Sequence, residues 1–173
     1  MGAAATPIQI LQDMQARLTG TGDGPRWTGL AVTLGARDYL VPQTEISGIA
    51  RPPVVTRVPR AAHWLRGVAR LRGALLPIID AGAALGDDEI VPDGQSRVLV
   101  LARPGNPAGF LVQRVRGLWT FAPQDQAHAQ RCAAGRPADA PFLLGAFRCD
   151  GAPLPVFSLR KLAADPSLRG PAD

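Results

Sequence analysis

The sequence predicts a mostly β protein built as two similar small barrel lobes, with short helices and a helical N-terminal extension. Three observations carry this. From Trp27 onward, short runs rich in Val, Ile, Leu and Thr alternate with Gly, Pro and Asp. Turn signals recur about every 8–12 residues, as they do in sandwiches and barrels. Two distant segments also match in constant register, which points to two lobes of one design. Finally, 173 residues with 46% apolar and 19% charged side chains suffice for a packed core and argue against a disordered chain.

Taken in order, residues 1–26 form a separate unit. Thr6 and Pro7 open a helix as N-cap and first helical residue. Ile8, Leu11 and Leu18 make its apolar stripe, with Ile10 and Met14 close by. The glycines and proline of residues 20–25 end it as a linker. The two-lobed body spans 27–165, with strands expected at 28–34, 38–41, 44–49, 54–58, 66–71, 74–79, 97–102, 108–116, 143–148 and 153–158. A helical turn follows Asp80, and a short helix capped by Ser158 covers 158–164. Residues 87–96 read as a polar loop, 122–141 as a long connection, and 166–173 as a frayed tail.

The internal match aligns residues 67–80 with 145–158. Gly67, Arg70, Gly73, Ala74, Leu76 and Pro77 meet Gly145, Arg148, Gly151, Ala152, Leu154 and Pro155. Asp80 and Ser158, both N-cap types, close the two copies. Each copy reads as strand, glycine turn, strand, helix start. Gly73, Pro77, Asp80, Gly151 and Pro155 are therefore expected to shape the two hairpins.

The net charge of +5 comes from arginine almost alone, since Lys161 is the only lysine. The arginines are scattered and there is no aromatic platform, which weighs against a nucleic-acid site. Two cysteines, Cys132 and Cys149, cannot build a disulfide framework and lack metal spacing. No signal peptide or membrane-length apolar run is visible, which reads as a cytoplasmic protein. The histidines, His63 and His128, are not set beside a nucleophile in any recognisable elbow. No glycine-rich phosphate loop is present. No catalysis and no cofactor are expected. One segment imitates chemistry: Leu76 to Ala83 is similar to the active-site turn of dimeric aspartic proteases, with Asp80 as the carboxylate. Ala81, however, stands where that turn has Thr or Ser.

Residues 54–80 resemble the signature of the CheW family of signalling adaptors. The shared pattern is an apolar pair and Thr (Val54, Val55, Thr56), the Val58–Pro59 step, Trp64, Gly67–Val68, the Leu71–Arg72–Gly73 turn, and Pro77 leading to Asp80. Arg70 replaces the usual Asn, and Gln113 replaces an acidic residue further on. Leu30 to Pro42, the Glu45–Ile46 step, Arg97 to Leu101, Gly109 to Val115 and Gly145 to Leu162 extend the likeness over about residues 28–164. The N-terminal helix, Trp27, Gly29, Trp64, Arg97 to Val100 and Pro141–Phe142 resemble the PilI branch, the adaptors of twitching motility.

The resemblance implies a pair of five-stranded barrels and a scaffold without turnover. It would couple the cytoplasmic tip of a methyl-accepting receptor to the regulatory domain of a CheA-like histidine kinase, and would touch membranes only through the receptor. The Glu45 strand, Gly67 and Arg72 are implied as the receptor face, with the kinase at another barrel end. Trp64 is either an interface anchor or a lid on the first core. Two other readings stand beside this one: a basic β-barrel nucleic-acid binder and an aspartic protease using Asp80.

Overall fold

The computed structural model describes residues 25–102, 107–127 and 137–168. The expected N-terminal helix, His128, Cys132 and residues 169–173 lie outside the described residues. Among the described residues, eleven strands run in chain order: β1 (Trp27–Leu34), β2 (Arg37–Pro42), β3 (Ile46–Ala50), β4 (Leu65–Leu71), β5 (Ala74–Asp80), β6 (Arg97–Leu101), β7 (Gly109–Val112), β8 (Arg114–Phe121), β9 (Gln126–Ala127), β10 (Leu143–Cys149) and β11 (Ala152–Phe157). Short helices, α1 (Ala81–Ala84) and α2 (Leu159–Ala164), follow β5 and β11.

The strands form a six-stranded sheet ordered β8-β1-β2-β11-β10-β9 and a five-stranded sheet ordered β3-β6-β7-β5-β4. The two copies read from the sequence are the β4–β5 and β10–β11 hairpins, and they match closely. Each turn carries two residues at positive φ: Arg72 (48°) and Gly73 (82°) in one, Asp150 (48°) and Gly151 (82°) in the other. That is what a type I′ hairpin turn requires. Each ladder slips between its entry leucine and the glycine, at Leu65/Gly67 and Leu143/Gly145. Each second strand pairs in parallel with a strand of another hairpin: β5 with β7, and β11 with β2. Each hairpin then ends on an N-cap. Ala83 N–H donates to Asp80 Oδ1 at 3.0 Å, and Lys161 N–H donates to Ser158 Oγ at 3.1 Å.

Closed barrels are corrected by the ladders: among the described residues neither sheet joins its two edges by a strand pair. The chain itself crosses each seam. β8 leads through the turn Pro123–Asp125 into β9, which pairs with β10 at the far edge. β3 leads to Thr56, which makes an isolated bridge to Val68 on β4, again at the far edge. Prolines explain why no full strand forms there. Pro52, Pro53 and Pro59 have no N–H to give, so the expected strand at 54–58 contributes only Thr56. A second difference concerns 108–116, which divides at Gln113 into β7 and a longer β8. Gly117 does not end β8; at φ 131° it sits opposite the slip between Ala31 and Val32 of β1. The tail is ordered further than expected, since Pro166–Leu168 forms a helical turn and Leu168 packs on the core.

Alternation along the strands builds three cores. Leu30, Val32, Tyr39, Val41, Leu99, Phe110, Val112 and Phe157, from both sheets, share one cluster between them. Their neighbours turn the other way. Ala31, Leu40, Phe121, Phe147 and Val156 fill one lobe, and Leu76, Ile78, Val98 and Leu111 fill the other. Burial on both faces explains why these runs are almost continuously apolar.

Candidate partner-binding surface

The β4–β5 turn projects Arg72 into solvent in a left-handed conformation. For a residue with a Cβ this costs on the order of 1–2 kcal/mol. No hydrogen bond or ion pair holds its guanidinium among the described residues. It is tied neither to Glu45 nor to Asp80. It lies instead over the backbone of Gly48 on β3, where a Cβ would meet Arg72 Nη1 at 2.8 Å. Gly48 thus gives the arginine a place to rest across the seam of the five-stranded sheet. Beside the turn, Leu75 is 65% exposed, and Ile49 on β3 is 40% exposed. Arg70 stands opposite Leu75 in the ladder. Sequence reading missed Gly48, Ile49 and Leu75. The signal for Leu75 was present: of two adjacent leucines in a strand, one must face away from the core.

The other implied receptor residues have internal roles. Glu45 is 6% exposed. Its Oε1 accepts from Ser158 Oγ at 2.7 Å, and its Oε2 accepts from Arg160 N–H at 3.2 Å. Arg160 Nη2 in turn donates to the carbonyls of Thr44 and Ala102, each at 3.2 Å. This cluster ties the link between β2 and β3 to the start of α2. Gly67 is buried at φ 140°, and a Cβ there would stand 2.3 Å from the carbonyl oxygen of Thr56. The Thr56–Val68 bridge needs that space: its two N–H···O bonds are 2.8 and 2.9 Å. Trp64 is half-buried and packs against the core between the sheets, as a lid would.

Asp80 is fully buried. Besides capping α1, it accepts Ile90 N–H through Oδ2 at 2.8 Å, and Arg66 stands 3.8 Å from the same oxygen. Both carboxylate oxygens therefore serve the fold, which removes the protease reading of Asp80. Gly73 and Gly151 hold the exposed turn positions described above, and Pro77 and Pro155 occupy matching places opposite Val68 and Ala146. Among the described residues, no group of His, Cys, Asp and Glu could hold a metal ion.

A further buried node joins β2 to the segment before β10. Tyr39 Oη donates to Asp139 Oδ2 at 2.6 Å, and Arg37 Nη1 donates to the same oxygen at 3.1 Å. Burial, with the Asp139 carboxylate next, pushes the Tyr39 hydroxyl well above its usual value.

The family model for the CheW-like domain matches residues 28–167. The chain belongs to the CheW-like family. The CheW likeness extends to named relatives. The chain is 32% identical to the protein PilI of Pseudomonas aeruginosa over 94% of both chains. It is 30% identical to the chemotaxis protein CheW of Helicobacter pylori over 47% of this chain and 50% of that one. The scaffolding protein TtCheW of Thermoanaerobacter tengcongensis shares the fold, with a TM-score of 0.70 and 18% identity over 82% of this chain and 95% of that one. CheW-like proteins are non-catalytic scaffold adaptors, and this chain is one of them. No helix among the described residues is long and apolar enough to cross a membrane.

Proposed function

We propose that this CheW-like adaptor couples a methyl-accepting receptor to a CheA-like histidine kinase in type IV pilus, or twitching, signalling. The observation that carries the pathway is the likeness to PilI over nearly the whole of both chains. The protein works in the cytoplasm and reaches the membrane through the receptor. Its mechanism is bivalent: holding receptor and kinase together raises their effective concentration and biases the kinase between conformations.

The receptor face is the Arg72 turn together with β3. An arginine kept in a strained backbone conformation without an internal ion pair is suited to a partner. Its planar fork can bind helix carbonyls or carboxylates. The exposed Leu75 and Ile49 supply an apolar rim beside it. Glu45 and Gly67 contribute by placing β3 and β4, since neither offers a free side chain. The test is the affinity of the purified protein for a cytoplasmic fragment of the receptor. Arg72→Glu should weaken binding about tenfold or more, or about 1.4 kcal/mol, with an unchanged melting temperature. An unchanged affinity would remove Arg72 from the receptor face.

A further inference from the structure

A second surface lies at the start of β4, roughly 20 Å along the strand from the Arg72 turn. Here the chain leaves β4 after the Thr56–Val68 bridge, and residues of 55–66 together with Glu89 line a cleft of about 180 Å³. That is below the roughly 300–1,000 Å³ of small-molecule sites, so it suits one or two side chains better than a cofactor. The floor is apolar, formed by Val55, Val58 and Leu65. The polar lining is Arg57, His63, Arg66 and Glu89.

Arg66 shows what the cleft accepts. Arg66 Nη1 already holds the Glu89 carboxylate at 2.9 Å, with Asp80 behind it at 3.8 Å. The chain thus seats a carboxylate of its own on one wall. Arg57 and His63, both exposed, have no hydrogen bond or ion pair among the described residues. Val54, beside the lining residue Val55, is 97% exposed, and Val58 of the lining is 40% exposed. Pro52, Pro53 and Pro59 restrict the backbone that carries them, so little order need be gained on binding.

We propose that this cleft docks an acidic segment of a protein partner, with a carboxylate against Arg57 and His63 and a flanking apolar side chain against Val55, Val58 and Leu65. Charge complementarity selects the occupant: with Arg66 matched by Glu89 and Asp80, the unmatched charge in the lining is the Arg57 guanidinium. The apolar floor selects a peptide over a bare anion. The site is separate from the receptor face and does not depend on the pathway assignment.

The test titrates the full isotope-labelled chain with a synthetic peptide of alternating glutamate and leucine, read by backbone amide NMR. Its glutamine counterpart and inorganic phosphate are run alongside. Saturable shifts confined to residues 54–58 and 63–66 are expected, with affinity falling about tenfold in Arg57→Glu and holding in Arg148→Glu, an equal charge change on the other sheet. Glu89→Gln, which frees Arg66, should tighten binding. Equal binding of the glutamine peptide, equal shifts from phosphate alone, or shifts spread over the other arginines would overturn the proposal. So would affinity that neither Arg57→Glu nor Glu89→Gln alters.

Discussion

Glu45 and Arg72, both implied as receptor-face residues by the resemblance, stand in different settings in the fold. Both are charged residues beside a strand, but only Arg72 is exposed, whereas both oxygens of Glu45 are bonded to the start of α2. Sequence gave no sign of this, because Ser158 and Arg160 lie more than a hundred residues away and only the folded chain brings them to Glu45. Asp80 was more legible, since an N-cap is a local property of Asp before a helical turn. Its second bond, to Ile90 N–H, was not, because it is made across a loop. Glu45→Ala should leave the Ser158 hydroxyl without its acceptor and Arg160 N–H unsatisfied. The expected loss is about 2–4 kcal/mol of unfolding free energy, from the cost of orphaned buried donors and of a lost bond to a charged group. Urea unfolding measures it. A variant of normal stability that fails only in receptor binding would return Glu45 to the interface.

Elements were legible where local chemistry determines them. The paired hairpins could be read because two-residue turns demand a glycine at a fixed place and a strand on either side. Gly67 and Gly145 lay in register because the same slip is built into both copies. Misreadings have equally local causes. Gly117 looked like the end of a strand but takes part in an irregular pairing. The valines of 54–58 looked like a strand, yet prolines on either side leave the segment one bridge. Residues 87–96 looked wholly polar, but Ile90 turns inward and joins the core of the five-stranded sheet's lobe. A single apolar residue in a polar loop has no period to reveal it.

Across the whole molecule, the two halves of the chain are exchanged between the sheets. The six-stranded sheet takes β1 and β2 from the first half and β8 to β11 from the second; the five-stranded sheet takes β3 to β5 from the first and β6 and β7 from the second. No single half holds a complete sheet or a complete central core. A break at the exposed Asp93–Gly94 link should therefore leave two fragments that co-elute as one folded particle, while neither folds alone. Size-exclusion chromatography with circular dichroism reads this out, and a cooperative melt from one isolated fragment would contradict it. This exchange was not legible, because sequence similarity marks the copies but says nothing of which strands they pair with.

Strands exchanged between the sheets tie the two halves of the chain together, which suits the proposed role of holding two partners in fixed relation. The most direct measurement places receptor fragments in lipid nanodiscs, adds the kinase, and follows kinase sedimentation with and without this protein. Kinase is expected to sediment with the nanodiscs only when the protein is present, in a three-component complex. Kinase that sediments equally without it, or is displaced from it by receptor, would rule out receptor–kinase coupling by this protein.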